Sequence, residues 1–411
     1  MPKGFYFLIG AQFASALADN ALLILGIYFL KEQGYPSWWA PLLKFSLTLA
    51  YVILASVVGP VADAFAKNHL MACMNALKMM GVFILLSGVH PVFAFALIGL
   101  GACVYAPAKY GLVTESMPPR LLVRANAWLE VSVVLSVIFG IALGGALTGL
   151  TEAGALNELG WVLSSATPMG VKTETLPALG VIVGVYLTAA VLNLGVKPMA
   201  QRVHLSPLSW QAMKFATFWK SNRRLWRDPL GGMSLYVTTL YWGVGAVMQF
   251  AVLVWAQQSL GITLKVGAYL QALVALGVIA GAFVAGRQFK LHSARQALPW
   301  GLLLAVLLPV IVMVTDVWLA VLLLLCIGVS GGMLLVPMNA LLQHRGMQTL
   351  SAGRSIAVQG FNENLCVLLM LAAYSALLAF GVSLSLIMLL LATMLVAGIA
   401  PLCLLMWRQF R

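Results

Sequence analysis

Five ionisable residues stand inside long apolar runs of this 411-residue sequence: Asp19, Lys78, Lys109, Glu130 and Glu363. Charged side chains in such surroundings are costly unless they face a polar cavity or an opposite charge. Asp19 and Glu363 could hold an ammonium group or a coupling cation, and Lys78 and Lys109 could hold an anion such as phosphate. The alternative is that these charges form ion pairs that lock helices in one conformation and contact no substrate.

Amide side chains accompany these charges at helical spacing. Gln12, Ser15 and Asp19 follow one another at i, i+3 and i+7, and Asn126 precedes Glu130 by one turn. Asn339 and Gln343 are a similar pair. Most such amides hydrogen-bond between helices. The candidate substrate- or ion-binding residues are Asp19, Asn20, Lys78, Lys109, Gln249, Gln359, Asn362 and Glu363.

The composition indicates that these residues lie in a membrane protein. Of the whole chain, 62% is hydrophobic and only 9% is charged, whereas soluble domains carry roughly 25% charged residues. Backbone groups in lipid must be satisfied within each segment, so the sequence predicts membrane-spanning α-helices. The five cysteines show no Cys-x-x-Cys spacing, so we expect neither a disulfide framework nor a metal site.

Twelve apolar stretches are long enough to span, at about 20 residues each. They fall at 5–30, 40–66, 69–89, 91–115, 124–150, 173–196, 230–260, 264–286, 293–315, 317–343, 351–380 and 382–407. The sequence thus predicts an all-α membrane protein with two pseudo-symmetric six-helix bundles. The first occupies residues 1–196 and the second residues 230–411, and a basic cytoplasmic linker, 197–229, joins them.

The basic residues give the orientation of these helices. With the N-terminus placed in the cytoplasm, most of the 24 Lys and Arg residues fall on the cytoplasmic side. Lys31, Lys44, Lys172 and Lys265 are the four that fall outside. This asymmetry follows the positive-inside rule, so both termini are expected in the cytoplasm. The net charge of +13 is therefore explained by the basic residues on the cytoplasmic side, where the linker faces an anionic inner leaflet. It does not indicate a nucleic acid partner.

A parallel repeat relates the two halves. A shift of 230 residues lays 104–115 over 334–345, so that Pro107 meets Pro337, and lays Asp19 over Gln249. Parallel six-helix repeats are a transporter architecture with a central polar site. The repeat also decides how the first helix is interpreted. The N-terminal segment resembles a signal peptide, with Lys3, an apolar run and Ala-Leu-Ala before Asp19. Because this helix has a counterpart in the second half, we expect it to belong to the mature protein.

The segment from Gly59 to Lys67 resembles the loop motif of the major facilitator superfamily, Gly-x-x-x-Asp-Arg-x-Gly-Arg-Arg. Gly59, Asp63 and Lys67 match it, whereas Ala64 and Ala66 depart from it. In that superfamily the loop gates alternating access and does not contact substrate. The resemblance therefore makes Asp63 and Lys67 gating candidates, and Glu130 is added to them as a buried carboxylate.

Several segments together resemble the bacterial lysophospholipid transporters. They are ADNALL (18–23), VADAFAK (61–67), YAPAKYG (105–111), VPMNALLQ (336–343) and AVQ…NEN…LLM (357–370). The resemblance implies a monomeric carrier that moves lysophosphatidylethanolamine and related lipids from the outer to the inner leaflet. It also implies a cytoplasmic acyltransferase/acyl-carrier-protein synthetase partner. Asp19 and Lys109 are the site residues it carries over, and some relatives are expected to have Arg where Gln249 stands.

Three other functions are alternatives to the lipid carrier, and composition does not separate the first of them from it, because only the family-like segments favour lipid. A proton- or sodium-coupled exporter of amphipathic drugs would need the same cavity and would use Asp19 for coupling. A membrane acyltransferase would need His followed four residues later by Asp, which the sequence lacks. A lipid hydrolase would need a Gly-x-Ser-x-Gly elbow at a strand-to-helix turn, whereas the one match, 328–332, lies inside the continuous apolar stretch 317–343. An inert scaffold would gain little from buried carboxylates. No cofactor is expected, because the sequence lacks a phosphate-binding Gly-x-x-x-x-Gly-Lys-Ser/Thr loop.

Overall fold

The computed structural model describes residues 1–35, 39–87, 89–154, 175–196, 207–262 and 264–408. Across these residues the chain folds into helices and forms no β-strand. The predicted all-α class is confirmed. The α-helices are α1 (Lys3–Glu32), α2 (Trp39–Ile53), α3 (Ala55–Ala64), α4 (Lys67–Leu86), α5 (Pro91–Ser116), α6 (Pro119–Glu152), α7 (Leu176–Leu194), α8 (Trp210–Met213), α9 (Phe215–Arg227), α10 (Pro229–Ser259), α11 (Leu264–Gln288), α12 (Leu298–Ile311), α13 (Val317–Thr349), α14 (Ala352–Ala379) and α15 (Leu384–Arg408).

Eleven helices in the described part of the chain are long and apolar enough to cross a membrane, and a bent pair raises the number to twelve. The pair is α2 and α3, which bend by 69° between Leu42–Ile53 and Ala55–Ala64. The span predicted at 40–66 thus consists of two helices that meet at Leu54. Its hydropathy is continuous across Leu54, so the composition of the segment gave no sign of the bend.

Another predicted span, 293–315, begins differently in the structure. Residues Leu291–Ala297 form a 3₁₀ turn, and the α-helix starts at Leu298 with Pro299 in its first turn. Proline suits that position because the first helical N–H groups have no intrahelical acceptor. The repeat-related Pro107 and Pro337 instead lie inside α5 and α13.

The predicted linker is largely helical where the structure describes it. Residues 197–206 lie outside the described part, and α8 and α9 follow. In α9, Phe218, Asn222 and Leu225 are buried at i, i+4 and i+7, while the lysine and arginines on the other side are exposed. This part of the predicted basic linker is therefore an amphipathic helix.

The chain forms two compact units. The first contains Met1–Ser116, Leu135–Phe218 and Ala352–Ala357, and the second contains Met117–Val134, Trp219–Ser351 and Val358–Arg411. Both α6 and α14 therefore contribute their first residues to one unit and the rest to the other. The division of the sequence at 196 and 229 stays a prediction, because it follows composition and repeat and not packing.

Within the second unit, α11 and α13 are in backbone contact along two small-residue motifs. Gly277 and Gly281 on α11 face Gly328 and Gly332 on α13, and a Cβ on any of the four would collide with backbone of the facing helix. Apolar side chains gain little by leaving lipid for another helix, so close approach through glycine supplies much of the packing between membrane helices. Each unit has its own apolar core.

We expect Gly328→Ala to lower the Tm of the detergent-purified protein, because the added methyl group meets the Val274 carbonyl oxygen. Overpacking of this kind costs about 1–3 kcal/mol. Gly245→Ala is the matched control, since a Cβ there meets nothing within 4 Å. Thermal unfolding followed by size-exclusion chromatography measures both, and equal Tm values for the two variants would contradict this account of the packing.

Candidate substrate site

An ion pair between α1 and α4 is the centre of the polar cluster in the first unit. The Lys78 Nζ donates to Asp19 Oδ2 at 2.7 Å, and the Tyr186 hydroxyl of α7 donates to Asp19 Oδ1 at 2.6 Å. Both carboxylate oxygens thus accept a hydrogen bond, and three helices meet at one side chain. Two of the sequence-predicted binding residues, Asp19 and Lys78, are partners.

The surroundings of Lys78 hold its ammonium group in place. It also donates to Ser15 Oγ at 3.1 Å, and it lies 5.3 Å from the Tyr105 ring centroid and 5.7 Å from that of Tyr186. The electron-rich faces of such rings attract cations. Gly101 makes room for the lysine, because a Cβ there would lie 2.9 Å from Lys78 Cγ.

The two ends of the ion pair differ in access. The Lys78 side chain is 2% exposed, whereas that of Asp19 is 25% exposed. Ser15 donates in turn to Asn75 Oδ1 at 2.6 Å, so the lysine end is enclosed by polar groups of α1 and α4. An incoming group therefore reaches the pair from the carboxylate side.

Lys109 approaches the same face of α1 further towards its N-terminus. Its Nζ donates to Gln12 Oε1 at 3.2 Å and lies 4.3 Å from the ring centroid of Tyr110. Gln12 and Asp19 are seven residues apart, about 10 Å along the helix axis. The predicted stripe on α1 thus meets two lysines, one from α4 and one from α5. Asn20 is turned aside and donates to Ala16 O of its own helix at 2.7 Å.

A second polar cluster lies in the second unit. The Gln359 amide of α14 donates to Asn339 Oδ1 at 2.9 Å and to Glu363 Oε1 at 2.8 Å. Glu130 of α6 is close enough to interact electrostatically with Glu363. The structure therefore brings the predicted binding residues Gln359 and Glu363 into direct contact. Among the described residues, no group of three or more His, Cys, Asp or Glu could hold a metal ion.

Two further sequence-predicted amides lie elsewhere. Asn362 points at the linker helix, where its Nδ2 donates to Asn222 Oδ1 at 2.9 Å and its Oδ1 accepts from Trp226 Nε1 at 3.1 Å. Gln249 is exposed on α10, and its backbone oxygen accepts a hydrogen bond from the Gln271 side chain. Neither residue belongs to the Gln359–Glu363 cluster, and their predicted roles in substrate binding stay predictions.

The gating candidates make contacts at helix ends. Asp63 is buried and its Oδ1 accepts from the Gly353 N–H, at the start of α14, at 2.8 Å. Gly59 permits this approach, since a Cβ there would lie 2.8 Å from Arg354 Cα. Lys67 pairs with Glu115 at 2.7 Å and its side chain is 1% exposed.

A reciprocal amide pair joins the start of α6 to α13. Asn126 Nδ2 donates to Gln343 Oε1 at 2.9 Å, and Gln343 Nε2 donates to Asn126 Oδ1 at 2.8 Å. The sequence pattern indicated both amides, each with a neighbour on its own helix, but it contained no sign that they bond to each other.

Sequence reasoning missed several partners of these residues, among them Tyr186, Glu115 and Asn222. Glu115 could have been found, because it is the one Asp or Glu of α5 and the buried Lys67 needs an anion. Tyr186 and Asn222 have no comparable signal, since a single tyrosine or asparagine in a helix is compatible with many environments.

Known proteins are similar to this chain over most of its length. A family model described as Major Facilitator Superfamily matches residues 8–369. The lysophospholipid transporter LplT of Yersinia pestis (strain Pestoides F) is 36% identical over 373 residues, covering 90% of this chain and 86% of that protein. LplT of Yersinia pseudotuberculosis serotype O:3 (strain YPIII) gives the same values.

Solved structures show the same fold at low identity. The transporter FucP in its outward conformation has a TM-score of 0.72 and 15% identity, covering 97% of each chain. A bacterial homologue of the iron transporter ferroportin, in an outward-facing state, has a TM-score of 0.74 and 12% identity, covering 98% of this chain and 100% of that one.

The fold and its buried polar clusters are those of a multi-pass membrane transporter. The chain belongs to the Major Facilitator Superfamily and, within it, to the lysophospholipid transporter family.

We expect Asp19→Asn to destabilise the protein strongly, because it leaves the Lys78 ammonium buried without its anion. Breaking a buried pair on one side costs about 3–5 kcal/mol. The double variant Asp19→Asn/Lys78→Met removes both charges and should recover most of the Tm. Thermal unfolding in detergent compares them, and an unchanged Tm for Asp19→Asn would show that the pair contributes nothing to stability.

Proposed function

We propose that this protein is a carrier that moves lysophospholipids from the outer to the inner leaflet of the bacterial inner membrane by alternating access. Lysophosphatidylethanolamine is the proposed main substrate. The protein acts as a monomer with both termini in the cytoplasm, and a cytoplasmic acyltransferase/acyl-carrier-protein synthetase restores the second acyl chain. Family membership and the names of the relatives support the substrate class, and the charge asymmetry of the loops supports the orientation.

The Asp19–Lys78 pair is the observation that carries this proposal. A zwitterionic headgroup contains one ammonium and one phosphate, the same two charges that the pair contains. In the proposed binding step the headgroup ammonium replaces Lys78 as the partner of Asp19. The headgroup phosphate then pairs with the ammonium group of Lys78. This exchange of partners leaves no buried charge unpaired. Breaking a buried ion pair is costly mainly because it leaves one charge without a partner.

Lys109 has a separate role in the proposed site. It belongs to the segment YAPAKYG that resembles the transporter family, and its Nζ lies beside Gln12 on the same α1 face as Asp19. We assign it to the phosphate or the glycerol end of the headgroup. The acyl chain needs no pocket, since each CH₂ kept in hydrocarbon is stabilised by about 0.8 kcal/mol.

The contacts at the starts of α6 and α14 are the proposed cytoplasmic gate. Asp63 accepts one hydrogen bond from the Gly353 N–H, and Asn126 and Gln343 exchange two. A hydrogen bond contributes a net stabilisation of about 0.5–1.5 kcal/mol, so a small number can form and break during a transport cycle. We propose that both contacts break when the site opens to the cytoplasm, and that the pair of carboxylates Glu130 and Glu363 holds a coupling cation or the substrate amine.

Uptake of labelled lysophosphatidylethanolamine into proteoliposomes tests this function. The wild type should bring the lyso lipid to the inner leaflet and leave diacyl phosphatidylethanolamine where it was added. Asp19→Asn/Lys78→Met should be folded but inactive, because it has neither charge to offer. Lys109→Gln should raise KM by about 10- to 100-fold, the value of one hydrogen bond to a charged group, whereas Arg287→Gln, an exposed arginine, should not.

Two results would contradict the proposal. Wild-type activity in the double variant would make the pair a purely structural contact. A folded, inserted wild-type protein that takes up no lyso lipid would rule out the lipid carrier and favour a coupled exporter of amphipathic solutes.

A further inference from the structure

The linker helix α9 has one strongly basic surface. Lys220, Arg223, Arg224 and Arg227 are all exposed, and their spacing of i, i+3, i+4 and i+7 puts them on one side of the helix. We name these four residues the basic face. In the described part of the chain none of them forms an ion pair. Like charges at this spacing destabilise a helix, so the basic face needs anions from outside the chain.

Aromatic side chains flank the basic face. Trp219 is 51% exposed and Trp226 is 37% exposed. Large exposed aromatics next to lysine and arginine are typical of helices that lie in a membrane interface, where the indole ring sits at the level of the headgroups. An aqueous surface gives such side chains no comparable stabilisation.

The position of α9 in the chain brings this surface to the membrane. Arg227 is followed by Asp228, and α10 begins at Pro229 as a membrane-spanning helix. From Trp219 to Pro229 is ten residues, at most about 15 Å of helix. The positive-inside rule puts this end of α10 in the cytoplasm, where anionic phospholipids attract basic segments.

Two contacts fix α9 to the spanning helices. Asn222 is 4% exposed and accepts from Asn362 Nδ2, while Trp226 Nε1 donates to Asn362 Oδ1. At the end of α9, Arg345 donates to both carboxylate oxygens of Asp228 at 2.6 and 3.0 Å. This guanidinium holds the pKa of Asp228 below its ordinary value, so the carboxylate stays charged and also accepts from the Gly231 N–H at the start of α10.

The contact at Asn362 reaches the polar cluster of the second unit. Asn362 immediately precedes Glu363, and Gln359, which bonds Glu363, lies one turn earlier on the same helix. A loss of helical structure in α9 would release Asn222 and Trp226 together, and the Asn362 side chain would keep only its bond to the Val358 backbone oxygen of α14. The state of α9 is thereby coupled to the helix that carries Glu363.

We propose that the basic face binds anionic phospholipid headgroups of the inner leaflet, and that Asn222 and Trp226 transmit this binding through Asn362 to α14, so that anionic lipid accelerates transport. The lipid neutralises the four like charges, which keeps α9 helical and its contact with Asn362 intact. The transport part of this inference rests on the proposed function, whereas the binding part does not.

Hydrogen–deuterium exchange of the peptide covering residues 219–227 tests the binding part. The full-length protein is measured in nanodiscs of phosphatidylcholine and in nanodiscs in which about a third of the lipid is phosphatidylglycerol. Amide exchange should slow several-fold in the anionic discs. Lys220→Gln/Arg223→Gln/Arg224→Gln should weaken the association on the order of 100-fold and abolish the slowing, at about fivefold per basic residue.

The matched control removes three exposed basic residues from other segments, Arg120→Gln/Arg287→Gln/Lys290→Gln, and should exchange as the wild type does. Equal exchange in both kinds of nanodisc would overturn the inference. So would protection that appears only when an acidic acyl carrier protein is added, because the basic face would then be a protein-docking surface.

Uptake of lysophosphatidylethanolamine by proteoliposomes of the same two compositions tests the coupling. The wild type should be faster in anionic lipid, and the basic-face triple variant should have the neutral-lipid rate in both. Trp226→Phe keeps the charges and an aromatic ring but removes the indole N–H, so it should keep the protection of residues 219–227 and lose part of the acceleration, because the Asn222 bond to Asn362 remains. A Trp226→Phe variant that responds to phosphatidylglycerol as the wild type does would overturn the coupling. Protection without any uptake would refute the proposed function alone.

Discussion

A charge inside a lipid bilayer has to be paired, and the Asp19–Lys78 ion pair shows how this protein satisfies that constraint. The lysine is enclosed by Ser15, two tyrosine rings and the carboxylate, while the carboxylate has one side open. Because the pair is neutral as a whole, the first unit carries two strong charges at a cost that its hydrogen bonds offset. An arrangement of this kind accepts a ligand that brings both charges with it more readily than a ligand that brings one. This is why the geometry suits a zwitterionic lipid headgroup better than a simple cation or anion.

The helix α14 connects the other polar contacts. Over eleven residues, Gly353 bonds Asp63, Gln359 bonds Asn339 and Glu363, and Asn362 bonds the linker helix. The proposed gate, the second polar cluster and the proposed lipid-sensing helix therefore all act on one element. These contacts lie within about three turns of one another. Between α11 and α13 the contact is instead glycine against backbone.

Much of this architecture could be predicted from the sequence, because hydrophobic length is a local property. The spans were recognisable for that reason, whereas the bend at Leu54 and the 3₁₀ turn at Leu291–Ala297 depend on packing and backbone detail that hydropathy does not record. The buried charges were recognisable too, since Asp19 and Lys78 interrupt apolar runs. That they pair with each other was not, because a separation of 59 residues carries no information on which helices are neighbours. Tyr186 and Asn222 became visible as partners only once α7 and α9 had positions in space.

The relative uptake of two lyso lipids measures the exchange of partners at Asp19 most directly. Lysophosphatidylethanolamine has an ammonium group for Asp19, and lysophosphatidylglycerol has none, while both have the phosphate. The ratio of their initial uptake rates should fall in Asp19→Asn compared with the wild type, because only the first lipid loses a partner. An unchanged ratio, with both rates reduced equally, would contradict the claim that Asp19 binds the headgroup and would leave the pair a structural contact.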